Sequence, residues 1–327
     1  MDKAATFRKI LEYAVLAPSS HNSQPWRFEI GQDEISILKD LSRRLPISDA
    51  NDRQLYISLG CAITNILVAA DYFGFSVEVK YFPKGIDSAG VANICLGSNT
   101  QVQKEQRLGH LFSFIESRVT NRNKYESRLP EDTFLKTIKS FSTDELAINL
   151  VIDRGEKNQV ADIVLASLGE AMADKKFRNE LSHYLKSNIT KSKTGMPGYS
   201  LGFPLMVSLI APILIRYINV SKLSRKKDKS LLKEFTPLFM IVSTKYNDPL
   251  SWLKAGQIYQ RIALLAESKG IKSSIMAAPI QIEDYYKRLQ EVLKINFRPQ
   301  IFSRLGYTTK VTPRSPRIQA SALSDLV

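Results

Sequence analysis

Two segments of the chain repeat one pattern at a distance of 196 residues. The segments SLGCAITNILVAADYFGF (58–75) and KAGQIYQRIALLAESKGI (254–271) align without a gap. Four aligned positions are identical: Gly60 and Gly256, Ile66 and Ile262, Ala70 and Ala266, and Gly74 and Gly270. Solenoid repeats have periods of about 20 to 50 residues, so this much longer period indicates two copies of one domain. The chain is therefore predicted to pack as a pseudo-dimer about a pseudo-two-fold axis.

Each half combines helix and strand patterns. An amphipathic helix is predicted over residues 4–17, ending before Pro18, and the alternating segments WRFEI and ISILKD follow it as strands. In the second half, PLFMIVST (237–244) and FSRLGYTT (302–309) are predicted strands on either side of the repeated helix. These patterns predict an α+β fold whose mixed or antiparallel sheets are flanked by helices.

The positive net charge of the chain limits which classes of binding partner are expected. The 327 residues carry a net charge of +14, and the segment SKLSRKKDKSLLK (221–233) is densely basic. A positive field attracts nucleic acid, anionic lipid or small molecules that carry phosphate. No recognition-helix motif and no basic motif interleaved with aromatic residues accompanies the charge, so no specific nucleic-acid partner is predicted.

The apolar segment FPLMVSLIAPILI (203–215) has 13 residues and two prolines, too few apolar residues to span a bilayer. No transmembrane segment is predicted, but the apolar-then-basic stretch 203–233 leaves a peripheral membrane contact open. The N-terminal 17 residues lack the pattern of a signal peptide. Cys61 and Cys95 lie in apolar segments and are predicted to be core thiols, so the predicted location is cytoplasmic.

Several chemistries are disfavoured by their sequence requirements. The segment GYSLG (198–202) matches the nucleophile elbow of serine hydrolases, but His21, His110 and His183 all precede Ser200. The scattered histidines and two cysteines do not form a metal-binding pattern. Neither a Gly-X-Gly-X-X-Gly nor a Walker sequence is present, so a Rossmann or P-loop phosphate site is not predicted.

The stretch APSSHNSQPWRFEI (17–30) concentrates short hydrogen-bonding side chains in one loop. A simple turn would account for Ser, Asn and Pro here, because their side chains satisfy local backbone groups. The density of donors and acceptors also fits a binding loop. The candidate binding residues are Ser19, Ser20, Asn22 and Gln24.

Arginines recur in two further segments. Arg118, Thr120 and Arg122 occupy alternate positions, which share one face of an extended segment and could converge on one anion. Arg314 and Arg317 follow in TPRSPRIQ, where the prolines prevent a helix. Surface ion pairs are the alternative for each arginine taken singly.

These segments together resemble the FMN-dependent nitroreductase superfamily. PSSHNSQPW (18–26) matches the central family motif residue for residue, and RVTNR (118–122) matches its arginine segment with Thr120 in place of serine. AAPIQ (277–281) falls where the family lays its backbone along the flavin ring, and PRSPR (313–317) where it supplies its last basic residues. The resemblance implies a nitroreductase-like fold that binds FMN at a dimer interface and uses NAD(P)H as electron donor.

The resemblance also implies how the two halves divide the work. The expected halves are residues 1–110 and 111–327, with a lid insertion around 186–235 in the second half. The serine-asparagine loop occurs only in the first half and the arginine segment only in the second. One complete flavin site between the halves is therefore expected, as in the Acg-like branch of the family.

On this resemblance, the arginines and Thr120 would hold the FMN phosphate, and Ser19, Ser20 and Asn22 would reach the polar edge of the ring. The full predicted cofactor-binding set is Ser19, Ser20, Asn22, Gln24, Arg118, Thr120, Arg122, Pro279, Ile280, Gln281, Arg314 and Arg317. No catalytic side chain is required, because flavin carries the chemistry. His21 is a weak candidate proton donor, and a histidine facing solvent is the alternative.

Two functions stay open at this stage. The first is an NAD(P)H-dependent oxidoreductase that acts on a small-molecule electron acceptor. The second is a flavin-sequestering protein, in which the apolar segment 201–218 folds over the ring and blocks turnover.

Overall fold

The computed structural model describes residues 3–98 and 107–326, which form two main β-sheets with helices packed against them. Elements are numbered in chain order. The first sheet contains β1 (Trp26–Ile30), β2 (Glu34–Lys39), β3 (Phe75–Tyr81), β4 (Gly90–Ser98) and the C-terminal β11 (Ser324–Leu326). The second contains β5 (Leu146–Val151), β8 (Leu238–Thr244), β9 (Ile271–Ile275) and β10 (Arg298–Tyr307). Two short strands, β6 (Leu185–Lys186) and β7 (Met196–Pro197), pair with each other.

The helices lie between these strands along the chain. They are α1 (Lys3–Ala14), α2 (Arg53–Tyr72), α3 (Asp132–Lys139), α4 (Arg154–Ala173), α5 (Lys175–Tyr184), α6 (Leu205–Tyr217), α7 (Ser221–Lys233), α8 (Pro249–Ser268), α9 (Ala278–Gln281) and α10 (Glu283–Leu293). The predicted α+β class is confirmed.

The two sheets share one strand order. The first runs β11-β1-β2-β4-β3 and the second β5-β8-β10-β9. Apart from the parallel pair β1 and β11, neighbouring strands are antiparallel in both sheets. Helices α2 and α8 are both 20 residues long, begin 196 residues apart and each lead into the edge strand of their own sheet. The repeated sequence therefore forms a repeated helix–strand unit.

The structure explains why four positions of the repeat carry the same residue in both copies. Gly74 and Gly270 follow the two helices with φ of 87° and 70°, a left-handed conformation that glycine adopts without strain and that ends a helix. The pairs Ile66 and Ile262, and Ala70 and Ala266, are all fully buried in one core that both halves share.

Gly60 and Gly256 lie where α2 and α8 cross. A Cβ atom on Gly60 would overlap the carbonyl oxygen of Leu253, and one on Gly256 would overlap that of Ile57. These two contacts exchange partners under the 196-residue offset, as contacts across a two-fold axis do. The helix crossing is thus a pseudo-symmetric interface that depends on close backbone approach.

Helix α2 is long and apolar enough to cross a bilayer, but 83% of that stretch is buried inside the protein. It is the central core helix of the fold. Helices α6 and α7 would pass the same test together, but they are bent by 116° relative to each other.

The halves differ in what connects their first two strands. Residues 31–33 alone join β1 to β2, whereas residues 152–237 join the corresponding β5 to β8 and contain α4, α5, α6 and α7. The predicted lid segment 186–235 lies inside this insertion. The C-terminal β11 returns to the first sheet, where Ser324 pairs with Phe28. The division at residue 110 stays a prediction.

The two thiols have different environments. Cys61 is buried in α2, as predicted, and donates to the carbonyl oxygen of Gly256 at 3.3 Å. Cys95 is half-exposed on β4, so the prediction of a core thiol is wrong there. Successive strand residues point to opposite faces, and the neighbouring Ile94 and Leu96 take the buried face.

Candidate functional site

Two adjoining cavities lie between the halves of the fold. The larger, of about 280 Å³, lies among the loop 18–21, helix α2, the 275–277 segment and β10. Its lining comprises Pro18, Ser19, Ser20, His21, Arg53, Gln54, Ile57, Ser58, Cys61, Thr120, Arg122, Met196, Leu201, Ile275, Met276, Ala277, Ile280, Gln300, Ile301 and Phe302. Most of the exposed lining is apolar, as is usual for a site that holds a flat organic ring.

The smaller cavity, of about 60 Å³, is polar and contains four arginines. It shares Ser19, His21, Thr120 and Arg122 with the larger cavity, so the two are continuous. The four arginines are Arg118, Arg122, Arg314 and Arg317. Its lining contains no acidic residue among the described parts of the chain.

The segment that carries the first two arginines runs beside β9. Thr120 forms a parallel bridge with Ser273, and the backbone amide of Asn121 donates to the Ser273 carbonyl at 2.9 Å. This pairing keeps residues 118–122 extended, so Arg118, Thr120 and Arg122 point to the same cavity. The alternate spacing in the sequence therefore corresponds to one shared face.

The four guanidinium groups bond to neutral acceptors. Arg314 donates to the carbonyls of Leu16 at 3.1 Å and Ile115 at 2.8 Å, and Arg122 to that of Ser200 at 3.2 Å. No ion pair within residues 3–98 and 107–326 involves any of the four.

Several of these donors have no acceptor at all. In Arg118, the Nε atom and one terminal nitrogen are buried without a hydrogen-bond partner. The Nε atom of Arg317 is also buried without one. A buried cation normally requires an anion or a full set of acceptors. Arg118 and Arg317 have neither, and an anion in this cavity would supply the acceptors that they lack.

Burial disfavours the charged form of these arginines. It lowers the pKa of Arg118 and Arg122 below the ordinary value, and it lowers that of Arg314 to about 10. The pKa of Arg317 is lowered well below its ordinary value, first by burial and then by the positive charges of Arg314 and Arg118. A bound anion would raise these pKa values again, because its negative charge favours the charged form of each arginine.

The loop 18–24 is held by its amide side chains. Asn22 donates to the carbonyls of Gly195 at 2.9 Å and Pro316 at 3.0 Å, and its side-chain oxygen accepts from Arg317 at 2.7 Å. Gln24 donates to the Lys193 carbonyl at 2.7 Å. Asn22 and Gln24 also have positive φ, which asparagine tolerates better than most residues. The two amides thus tie the loop to the insertion, and Asn22 also fixes one arginine.

His21 is half-buried and lines both cavities, so the alternative of a solvent-facing side chain is wrong. Burial lowers the pKa of His21 to about 4, and the positive charge of Arg122 acts in the same direction, against the carboxylate of Glu180. The imidazole is therefore neutral at pH 7.

The structure brings most of the predicted binding residues together. Ser19, Thr120 and Arg122 line both cavities, Ser20 and Ile280 line the larger one, and Asn22, Arg118, Arg314 and Arg317 line the smaller one. Gln24 and Pro279 line neither. Gln281 lies in a separate neighbouring cavity, where it donates to the carbonyl of Ser48.

Sequence reasoning missed the contribution of α2 and β10. Arg53 is buried in the wall of the larger cavity, donates to the carbonyl of Gln300, and has a pKa lowered by burial to about 10. Gln54 accepts a hydrogen bond from Ser20. The isolated charged and polar pair at the start of an apolar helix was the available signal, but its facing partner comes from β10, more than 200 residues away.

Several of the known proteins that match this chain in sequence are named as nitroreductases. Residues 1–70 match the family model described as "Putative TM nitroreductase". A protein of Mycobacterium tuberculosis named "Putative NAD(P)H nitroreductase" is 25% identical over 323 residues, covering 97% of this chain and 90% of the relative. The "Putative NAD(P)H nitroreductase acg" of the same organism is 29% identical over 101 residues, covering 31% of this chain and 30% of the relative.

Solved structures with a local likeness carry similar names. An FMN- and NADPH-dependent nitroreductase from a Sphigopyxis species is 15% identical, with a TM-score of 0.42, covering 66% of this chain and 97% of that one. A nitroreductase with bound FMN from Desulfitobacterium hafniense is 14% identical, with a TM-score of 0.40, covering 64% and 94%. The sequence matches therefore show similarity to nitroreductases, by a family model over residues 1–70 and by a relative over 97% of this chain.

Proposed function

We propose that this chain binds one FMN in the two joined cavities, with the phosphate among the arginines and the ring in the larger, apolar cavity. The observation that carries the proposal is the cluster of Arg118, Arg122, Arg314 and Arg317, which lines one cavity without a carboxylate and has buried guanidinium nitrogens without partners on Arg118 and Arg317. A phosphate offers several oxygens to such donors, which bind it with charge-assisted hydrogen bonds.

The larger cavity suits the ring and its reduced, more negative form. Ile57, Ile301 and Phe302 provide apolar walls that exclude water. Arg53 and Arg122 place positive charge at the same walls, where low polarity strengthens its effect. When bound, FMN would supply hydride transfer from NAD(P)H to a small-molecule acceptor, in line with the names of the relatives.

One flavin per chain follows from the differences between the halves. Under the 196-residue offset, Ala277 and Cys61 of the larger cavity correspond to Tyr81 and Gln257. Tyr81 donates to the Gln257 side chain at 2.7 Å. In the other half, Gln257 lines a separate cavity of about 350 Å³, whose lining has the carboxylate of Glu145 and one arginine, Arg261, in place of the four-arginine cluster.

The absorbance spectrum of the purified protein tests the cofactor. We expect bound flavin, released on heating as FMN at one equivalent per chain. If the protein is colourless and FMN added to it does not bind, the proposal is wrong.

Turnover is tested separately by anaerobic stopped-flow mixing of the FMN-loaded protein with NADH or NADPH. Rapid loss of the oxidised flavin absorbance, followed by its return when a nitroaromatic or quinone acceptor is added, would support an oxidoreductase.

A second candidate, flavin storage, is favoured by the insertion. Of the segment 201–218 expected to cover the ring, only Leu201 lines the larger cavity. The covering segment lies earlier, where Met196 lines the cavity and residues 193–200 are held by hydrogen bonds from Gln24, Asn22 and Arg122. A closed segment at this place would keep NAD(P)H from the ring. Flavin that stays oxidised for minutes in the wild type, but is reduced quickly in a Met196→Ala/Leu201→Ala variant, would favour storage.

The proposed location is the cytoplasm, because both cysteines are free thiols. We also propose that the chain is a monomer, since its two halves already provide the dimer-like interface.

A further inference from the structure

Helix α6 turns an unusually apolar face to solvent. Its buried side is narrow and consists of Ser208, Ala211 and Ile215. The exposed side carries only large apolar residues and the terminal Arg216. These exposed apolar residues are Leu205, Met206, Val207, Leu209, Ile210, Ile213, Leu214 and Tyr217, with Met206 and Ile213 exposed by 73% and 66%. Soluble surfaces rarely gather so many exposed apolar side chains in one patch, which usually marks a contact surface.

Helix α7, which follows after a sharp bend, is strongly basic. Its sequence SKLSRKKDKSLLK contains six lysines and arginines and one aspartate. Lys233 pairs with Asp162, but none of the ion pairs among the described residues involves the other five. Leu223, near its start, is 79% exposed. Apolar and cationic groups thus lie side by side on consecutive helices.

We propose that α6 and α7 dock this protein on an anionic membrane surface. Helix α6 lies in the interface with its apolar face among the acyl chains, and the cations of α7 contact the lipid headgroups. Apolar insertion combined with adjacent lysines and arginines is the combination that holds an interfacial helix on anionic lipid.

Charge complementarity selects this occupant. A second copy of the chain would bring another α7 with the same positive charge close to the first, which opposes association. A transmembrane arrangement does not fit, because α6 alone has 13 residues and contains Pro212, whereas a span needs about 20, and a 116° bend separates it from α7. An anionic bilayer satisfies both the apolar and the basic helix.

Flotation with lipid vesicles tests the proposal on the full-length protein. Binding is expected to vesicles that contain phosphatidylglycerol and to fall as salt is raised, with little binding to phosphatidylcholine alone. A Lys226→Gln/Lys227→Gln variant should partition about thirtyfold more weakly, since each cation near an anionic surface contributes on the order of fivefold. An Ile210→Asn/Ile213→Asn variant should also lose binding.

Matched controls change the same residue types elsewhere on the surface. Lys136 and Lys139 are exposed on α3, and Val311 is exposed by 89%. Lys136→Gln/Lys139→Gln and Val311→Asn should leave partitioning unchanged. Retained FMN binding and thermal unfolding temperature in every variant would show that folding is intact.

Absence of flotation with anionic vesicles at low salt would overturn the proposal, as would equal losses in the controls. Light scattering distinguishes membrane docking from the alternative, in which a second copy of the chain covers this surface. A dimer that the Ile210→Asn/Ile213→Asn variant dissociates would assign the surface to a second copy instead.

Discussion

At the scale of single residues, the arginine cluster is the feature that depends most on a ligand. The four cations, of which Arg118 is fully buried and the others partly, repel one another, and their hydrogen-bond acceptors are neutral groups. Glu116 and Glu267 oppose this repulsion without forming an ion pair with any of the four. Such a cluster lowers the stability of the ligand-free protein. Binding sites tolerate such a loss of stability when their donors must already be in place for an anion.

Arg118→Met separates the two effects. Without ligand, the variant should unfold at the same temperature as the wild type or a higher one, because a buried cation without an anion is removed. Its affinity for FMN should fall about ten- to hundredfold, the value of a charge-assisted hydrogen bond. Thermal unfolding with and without FMN, together with a flavin fluorescence titration, measures both.

The exposed Arg27→Met on β1 is the matched control and should change neither quantity. If Arg118→Met binds FMN as tightly as the wild type, the assignment of the phosphate to this cluster fails.

The lowered pKa of His21 should make the stability of the protein depend on pH. Its pKa in the folded protein is about 4, below its ordinary value, so the unfolded chain binds more protons between these two pH values. Stability should therefore fall as the pH drops from about 7 towards 4. In His21→Gln this part of the loss should disappear, as followed by unfolding temperatures across the range.

The same substitution at the exposed His183 serves as the control and should leave the pH dependence of the wild type in place. Parallel curves for wild type and His21→Gln would show that His21 does not carry the effect.

The residues of the site were predictable to the extent that they lie in local patterns. Alternate spacing along an extended segment identified Arg118, Thr120 and Arg122. The role of Asn22 was not predictable, because its partners are Gly195 and Pro316, which only the fold brings to it. For the same reason Arg53, on a helix outside the motifs, was missed.

At the scale of elements, the crossing of α2 and α8 holds the two halves together. Gly256→Ala should lower the free energy of unfolding by about 1 to 3 kcal/mol, since its new methyl group would meet the backbone of Ile57 in a packed crossing. Urea unfolding measures the change.

Gly169 in α4 provides the control, because a Cβ there meets nothing within 4 Å. Gly169→Ala should stabilise the protein by roughly 0.5 to 1 kcal/mol, as alanine is the better helix former. A Gly256→Ala variant with unchanged stability would mean that the crossing has room to relax.

Elements with a strong periodic pattern were predicted well, and those defined by long-range pairing were not. The repeated helix identified α2 and α8, the alternating segments WRFEI and ISILKD identified β1 and β2, and the predicted strands 237–244 and 302–309 correspond to β8 and to the end of β10. Strand β11 has three residues and exists only because it pairs with β1, so nothing in its own sequence indicates it.

At the scale of the whole molecule, one chain should behave as a complete unit. Light scattering should give a mass near the 36.9 kDa of a single chain, and titration with FMN should saturate at one equivalent. Two equivalents would show that Tyr81 and Gln257 leave the second position open. A stable dimer would mean that a further interface exists beside the crossing of α2 and α8.

The difference between the connections within the two sheets bears on how such a chain can evolve. In an assembly of two identical subunits, one gene encodes both, so every substitution appears twice. Here the short turn 31–33 and the long insertion 152–237 occupy corresponding places, and each is encoded separately. Mutation can therefore enlarge or reshape one side while the other stays as it is, and selection can act on each side by itself.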